Sequence, residues 1–419
     1  MADMTWTGFG RGEAELPLPV AASSAGVCAG AELNNTVAVV EGGVVRVSRA
    51  IGDLRDPAAR AAFTRELESA VERLGDALAW IACDRHPAYA SRTAARRLAR
   101  ARGVDLVEVQ HHHAHLASCL AEHASAGPAI GLICDGVGYG EDGQAWGGEC
   151  LVGDLRACRR AGRLRPIPLP GGDLAATHTG RCAAGWLFDA MGPDAFDHPL
   201  MRVALPDEAE RGIVARQVAG GLNCPSSSGM GRLFDAAASL LGLCPVNDEP
   251  AAAGRAMEAA AGASSERDPG AGLVPVVERD GLLELDHRPL LRRLADGVGR
   301  GEGPASLAWI FHFALADGLS GLAGVTADQN PDTMIVNSGG VFCNALLADL
   351  TSENFRRRGL RAVWHHAVPP HDAGLSIGQA AIAAALTQER EPCASPRQHG
   401  SSSGPATTPG SPSAPPGSA

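Results

Sequence analysis

Four histidines fall within five residues in the stretch Val109-Gln110-His111-His112-His113-Ala114-His115. A strand-like run over 104–109 leads in, and a helical pattern through Leu116, Leu120 and His123 leads out. Residues four apart on a helix share a face, so His111 and His115 can aim two imidazoles at one point. Imidazole is the commonest metal-binding side chain, and two on one rigid turn suit zinc or ferrous iron. A solvated, polar helix start would show the same letters, and the stretch alone leaves both readings open. No glutamate follows the first histidine as the HExxH protease pattern requires, which disfavours metalloproteolysis.

The chain contains no lysine: all 36 basic residues are arginine, against 47 acidic ones, for a net charge of −11. A Walker-type lysine or a Schiff-base lysine therefore cannot exist here. Any phosphate must be held by arginine, backbone N–H groups or a metal. The acidic balance argues against an autonomous nucleic-acid or membrane-surface binder. The 11 cysteines form no CxxC pair, as expected of reduced cytosolic thiols and not of a disulfide framework or a zinc ribbon. The N-terminus lacks the basic and apolar regions of a signal peptide, and no apolar run approaches the roughly 20 residues of a membrane span. A cytoplasmic protein is expected, with no membrane and no direct nucleic-acid partner. Its 419 residues allow two or three domains and an ample core.

Residues 1–24 contain Gly, Pro and Ser and are weakly patterned, which predicts a flexible lead-in. Order is expected from Val27, with a hairpin turning at Glu41-Gly42-Gly43. An amphipathic helix over 58–78, a short buried strand ending at Asp84 and an arginine-rich solvated helix over 91–102 follow. Beyond the histidines, an apolar strand over 129–134 stops at Asp135 before the turn Gly136-Val137-Gly138-Tyr139-Gly140. An acidic residue at a strand mouth before such glycines can meet a phosphate or metal; it can equally close a plain hairpin. Residues 166–173 mark a boundary, and 181–220 read as a helical insertion. Small residues from Ser226 to Gly231 open a helix containing Asp235, either leaving amide donors for an anion or forming an ordinary N-cap. A strand over 333–336 runs into Asn337-Ser338-Gly339-Gly340 and a helix from Ala345, the elements of a phosphate-binding turn. Asp372 stands at another strand-to-helix corner, before an apolar helix over 375–386. Residues 389–419 are Ser/Pro/Gly low complexity, which predicts a disordered tail.

Six motifs occur in order: VQHHHAH, CDGVGYGEDGQAWGGE, PIPLPGGD, GMGRLFDAAASLLGL, NSGGVFCN and VPPHDAGLSIGQA. Over about residues 25–388 they closely resemble the C-terminal transferase region of the HypF-type carbamoyltransferases, which mature NiFe hydrogenases. More distant relatives are the tRNA threonylcarbamoyl transferases and antibiotic O-carbamoyltransferases. The resemblance implies an α/β, actin-like ATPase (ASKHA) fold, with two lobes of mixed sheet flanked by helices and a helical insertion. The implied parts are a lead-in over 1–24, an N-terminal lobe with the histidine motif over 25–170, the insertion and a C-terminal nucleotide-binding lobe over 171–388, and a tail over 389–419.

In that family carbamoyl phosphate and ATP give carbamoyl-adenylate, and the carbamoyl group passes to the C-terminal cysteine of a partner, HypE. Carried over, His111 and His115 are ligands of a divalent metal, iron or zinc, and Asp372 is the third. Asp135 is a further acidic group near the metal or the transferring carbamoyl, so Asp135 and Asp372 are the candidate catalytic residues. Asp235 and Asn344 match positions that in the wider superfamily hold the nucleotide, here ATP or carbamoyl-adenylate, and Gly339 and Gly340 would line its phosphates. The expected partners are a HypE-type acceptor and a separate adenylate-forming, YrdC-like protein. Some positions depart from the family pattern: Asn34 for a lysine, Ala373 for a glycine, an altered stretch over 175–181, and Glu249-Pro250-Ala251-Ala252 for a glutamine-containing helix. They leave two alternatives: O-carbamoylation of a small molecule, or a metal- and nucleotide-binding scaffold without transfer.

Overall fold

The computed structural model describes residues 14–265 and 270–388, which build two mixed sheets. The first holds β1 (Ala14–Pro17), β2 (Ala25–Cys28), β3 (Ala38–Glu41), β4 (Val44–Val47), β5 (Leu78–Asp84) and β6 (Asp105–Val109), in the order β1-β4-β3-β2-β5-β6. β2, β3 and β4 form an antiparallel meander, and β5 and then β6 add in parallel beside β2. The second sheet repeats this plan. Its meander is β7 (Ala129–Tyr139), β8 (Ala145–Gly153) and β9 (Cys158–Leu164). The two-residue β10 (Ile167–Pro168) and β11 (Ser226–Ser227) lie beside β8, and a hairpin of β12 (Val276–Arg279) and β13 (Leu282–Leu285) extends the edge past β9. β14 (Met334–Ser338) and β15 (Ala362–Trp364) then add in parallel beside β7. Parallel additions need crossovers long enough for a helix. Two copies of one such sheet plan form the two lobes of an actin-like α/β fold.

The helices make the layers. α1 (Pro57–Leu74) and α2 (Ala90–Arg102) cover the outer face of the first sheet, and α3 (His111–Glu122) lies between the sheets. The insertion supplies α4 (Asp173–Thr177), α5 (Thr179–Met191), α6 (Pro199–Ala204) and α7 (Glu208–Gly220). With α8 (Met230–Leu240), α9 (Ala252–Gly262), α10 (Arg288–Gly299), α11 (Pro304–Gln329) and α12 (Ala345–Arg357) it covers the second sheet's outer face. α13 (Leu375–Gln388) returns to lie beside α3 between the sheets. The strands obey the period-two rule this arrangement demands. On β7, Ile130, Leu132 and Cys134 enter the outer core, whereas Ala129 and Ile133 enter the central one.

α3 is buried all round, every residue from His111 to Ala121 included. Such a helix must be apolar or have its polar groups partnered. The reading of a solvated helix start is thereby removed. Close approach is bought with glycine: a Cβ at Gly378 of α13 would overlap the Ala114 carbonyl, and one at Gly131 would lie 2.8 Å from Leu116 Cδ1.

The structure departs from the sequence reading in four places. Part of the expected lead-in is ordered, since Ala14–Pro17 pairs with β4 as an edge strand; residues 1–13 and the expected tail over 389–419 lie outside the described residues. The boundary expected at 170 does not divide the sheets, because β7, β8 and β9 belong to the second one. Proline and glycine there punctuate the start of an insertion, not a change of lobe. The strand expected to stop at Asp135 continues to Tyr139, with its register against β8 shifting between Cys134 and Gly138. α11 is long and apolar enough to cross a bilayer by length and composition, yet 67% of its apolar window is buried; it is the central helix of the outer core.

Candidate metal and transfer site

The site forms where the carboxyl ends of the parallel strands meet the helices that follow, the usual place for a ligand in open α/β sheets. Gln110, between β6 and α3, caps the helix: its side-chain oxygen accepts from His113 N at 2.8 Å and its amide donates to Tyr139 O at 3.0 Å. That fixes the first turn, and with it His111 and His115. Asp135 comes from the register shift in β7, where pairing lapses and the side chain is released from the ladder. Asp372 opens the turn before α13. Thr36 Oγ1 donates to Ala373 O at 2.9 Å, and Gln379 exchanges two hydrogen bonds with the Gly30 backbone, so this corner is tied to the first lobe.

Ligand atoms of His111, His115, Asp135 and Asp372 all lie within 4.8 Å of one another. His111 Nε2 is 3.4 Å from Asp135 Oδ2, and His115 Nε2 is 3.7 Å from Asp372 Oδ1. Both Nε2 atoms are buried and have no hydrogen-bond partner among the described residues. Buried polar atoms are otherwise nearly always satisfied, so the pair fits a group that takes lone pairs. The other ring nitrogen of His111 faces Asp84 Oδ2 at 2.8 Å, which places the proton on Nδ1 and leaves Nε2 free to ligate. Burial would lower the His111 imidazole, but Asp84, Asp135 and Asp372 outweigh it and hold it well above its ordinary range, so without a cation Nε2 takes a proton that a metal would displace. Burial would likewise raise Asp135, yet His111 and His115 pull it below the usual carboxylate range. Carboxylates crowded in a dry site call for positive charge, which a divalent cation would supply. Two imidazoles and two carboxylates are a donor set suited to iron or zinc.

His112 and His113 take no part in the cluster. His113 Nε2 bonds Asp154 O at 2.7 Å, and His112 Nδ1 lies 3.1 Å from the Gln110 amide nitrogen.

The residues expected to hold a nucleotide are more dispersed. Gly340 N donates to Asp135 Oδ1 at 3.3 Å, so this turn touches the cluster. Gly339 has φ of 101°, and a Cβ there would overlap the Cys134 carbonyl, which restricts the position to glycine. Asn344 uses its side chain structurally: Oδ1 caps Leu347 N at 2.9 Å and Nδ2 reaches His312 Nε2 at 3.0 Å. Asp235 is buried on α8, where Arg232 Nη2 pairs with it at 3.0 Å and Asn247 donates to it at 2.9 Å.

Two residues were not anticipated. Asp84 carries the same strand-end signal as Asp135 and could have been found by it. Arg232 could not: its Nε and Nη1 are buried without a partner among the described residues, and Nη2 would lie 3.7 Å from a Cβ on Gly136, beside Asp135. In a chain without lysine, it is a cation close to the cluster with donors to spare.

Comparison with known proteins gives the family. Residues 21–122 match the family described as "HypF Kae1-like domain", and 131–379 match "Carbamoyltransferase, Kae1-like Domain, second subdomain". The division between them falls where the two sheets divide. A carbamoyltransferase HypF homolog of Cupriavidus necator is 38% identical over 396 residues, covering 90% of this chain and 99% of that protein. Carbamoyltransferase HypF of Rhizobium leguminosarum bv. viciae is 35% identical over 89% of this chain, which spans 47% of the relative's length. A crystal structure of full-length HypF in its phosphate- and nucleotide-bound form superimposes with a TM-score of 0.81 at 29% identity, covering 89% of this chain and 57% of that one. The crystal structure of T. kodakarensis HypF gives a TM-score of 0.80, also at 29% identity, covering 90% of this chain and 49% of that one. The chain thus belongs to the HypF carbamoyltransferase family, as its Kae1-like part.

Proposed function

We propose that this chain transfers a carbamoyl group from carbamoyl-adenylate to a thiol, the C-terminal cysteine of a HypE-type acceptor, in NiFe hydrogenase maturation. The adenylate comes from a separate YrdC-like unit. The observation that carries this reading is the four-residue cluster with two orphaned, inward-facing imidazole nitrogens, set in a family of carbamoyltransferases. A divalent iron or zinc held by His111, His115, Asp372 and Asp135 would act as a Lewis acid on the carbonyl or phosphate oxygens.

The protein's own groups have defined tasks. In transfer, the acceptor thiol gives its proton to solvent, the thiolate sulfur forms a bond to the carbamoyl carbon, and the bond from that carbon to the phosphate oxygen breaks, releasing AMP. Negative charge therefore grows first on the carbonyl oxygen and then on the phosphate. Arg232 is suited to the phosphate, through the two donors it leaves unpaired. The Gly339-Gly340 turn lets backbone approach closely, and Asp235 holds Arg232 in place from the same helix. Buried walls of the two sheets exclude the water that would hydrolyse a mixed anhydride.

The test supplies preformed carbamoyl-adenylate and a cysteine-terminated acceptor peptide, and follows AMP release and peptide mass. Thiol carbamoylation by the wild type, absent in Asp372→Asn, is expected. His111→Ala with His115→Ala should in parallel abolish stoichiometric metal by elemental analysis while the fold persists. Full metal retention in that double variant would overturn the ligand assignment; no transfer to thiol or small-molecule acceptors would favour a scaffold.

A further inference from the structure

His111 has a carboxylate directly behind it; His115 does not. Behind His115 runs a chain of buried groups. Its Nδ1 is 3.4 Å from Ser338 Oγ, that oxygen is 2.9 Å from His365 Nε2, and His365 Nδ1 is 2.8 Å from Glu122 Oε2. His115 and Ser338 are fully buried, and the Glu122 side chain is 7% exposed. The chain closes on the helix where it began, since positions 115 and 122 are seven apart and share a face of α3.

We propose that Glu122 is a positioning residue that sets the tautomer of His115 through His365 and Ser338. An ionised carboxylate can only accept, so His365 must donate from Nδ1. Burial pushes the His365 imidazole down, so it is neutral and accepts at Nε2; the proton it accepts is that of Ser338, which lies 2.9 Å from this nitrogen and 3.4 Å from its other acceptor, Pro370 O. The Ser338 oxygen, its hydrogen committed, accepts from His115 Nδ1. His115 is left with a bare lone pair on Nε2, the nitrogen that faces the cluster. The order is set at the end farthest from the site, and the shorter contact of Ser338 with His365 than with Pro370 carries it through the middle of the chain.

Glu122 acts on a second ligand as well. Its Oε1 accepts from the backbone N–H groups of His366 at 2.9 Å, Ala367, and Val368 at 3.2 Å. This loop leads directly into the corner that carries Asp372. One carboxylate thus prepares His115 by proton order and Asp372 by backbone placement.

The inference rests on the metal reading of the cluster, and Glu122→Gln tests the two separately. Three N–H groups keep the amide oxygen of Gln on the loop, so its NH₂ faces His365 and reverses the order, placing a proton on His115 Nε2. In the metal-free protein, long-range ¹⁵N–¹H spectra should show His115 and His365 protonated on Nδ1, and His115 moved to Nε2 in E122Q. In titrations with Co(II) alone, E122Q should bind about 10- to 100-fold more weakly, the usual effect of losing such an outer partner, with an altered visible spectrum. If E122Q fails to fold, Ser338→Ala breaks the chain without touching charge and should weaken Co(II) binding comparably. An unchanged His115 tautomer in E122Q, or wild-type Co(II) affinity in both variants, overturns the proposal. A wild type that binds no Co(II) sinks the metal reading instead, and the tautomer spectra still decide the proton order.

Discussion

Asp84 Oδ2 lies 2.8 Å from His111 Nδ1, with both side chains buried from solvent. The other Asp84 oxygen accepts from His86 N at 2.7 Å, which fixes the carboxylate's orientation. In Asp84→Asn the amide oxygen stays with His86 N, so the NH₂ group faces His111 and drives its proton onto Nε2. Metal affinity should fall about 10- to 100-fold, read by competition with a chelator. Unchanged affinity would show that Asp84 does not set the His111 tautomer.

A packing variant should reach the same site from the other side. A Cβ at Gly378 meets only the Ala114 backbone, so no flexible side chain can move aside. Gly378→Ala must push α13 away from α3, and overpacking of this kind costs roughly 1–3 kcal/mol. Calorimetry should show a lower melting temperature, and metal binding should weaken because α3 carries His111 and His115 while Asp372 stands in the turn that leads into α13. Wild-type stability would mean that the helices are not in contact at Gly378.

The part of the site legible in the sequence is the part encoded locally. His111 and His115 declare themselves by spacing, Asp135 by closing an apolar run before a glycine-rich stretch, and Asp372 by standing at the corner before an apolar helix. Asp84 gave the same sign and lacked only a partner to make it conspicuous. Glu122, Ser338 and His365 were not legible, because the bond from His365 to Glu122 joins residues 243 apart and each residue type is ordinary alone. The division of the lobes was hidden for a related reason. β7 belongs to the second sheet through its pairing with β14, some two hundred residues later, and no local pattern records that choice. Arg232 stayed hidden because a buried arginine with unpaired donors reads, as letters, like any other helical arginine.

Ala251 offers a test of strain in a stretch that departs from the family pattern. It precedes α9 with φ of 58° and no side-chain cap. A left-handed conformation costs an L-residue roughly 1–2 kcal/mol, whereas glycine loses about 0.4–1 kcal/mol through the entropy of the unfolded chain. The first effect is the larger. Ala251→Gly should raise unfolding free energy by about 0.5–1 kcal/mol in urea titrations. A loss of stability would show that the left-handed turn is absent.

His312 provides the pH test. It is fully buried on α11, its Nδ1 donating to Ala308 O at 2.7 Å and its Nε2 accepting from Asn344 at 3.0 Å. Burial pushes its imidazole down from 6.5 to about 4. In the unfolded chain this histidine takes its proton near pH 6.5; in the folded protein it does not until about pH 4. Between those values the unfolded state binds the extra proton, so stability falls as pH falls. The contribution is fully present above about pH 6.5 and is lost as pH drops through about 4, amounting to roughly 3 kcal/mol. His312→Gln retains an acceptor for Asn344 and removes the titration. Urea unfolding of the metal-free proteins at about pH 7 and about pH 4 should show the wild type losing roughly 3 kcal/mol more than the variant, because the remaining carboxylates titrate alike in both. Equal losses would mean that His312 is not held neutral in the core.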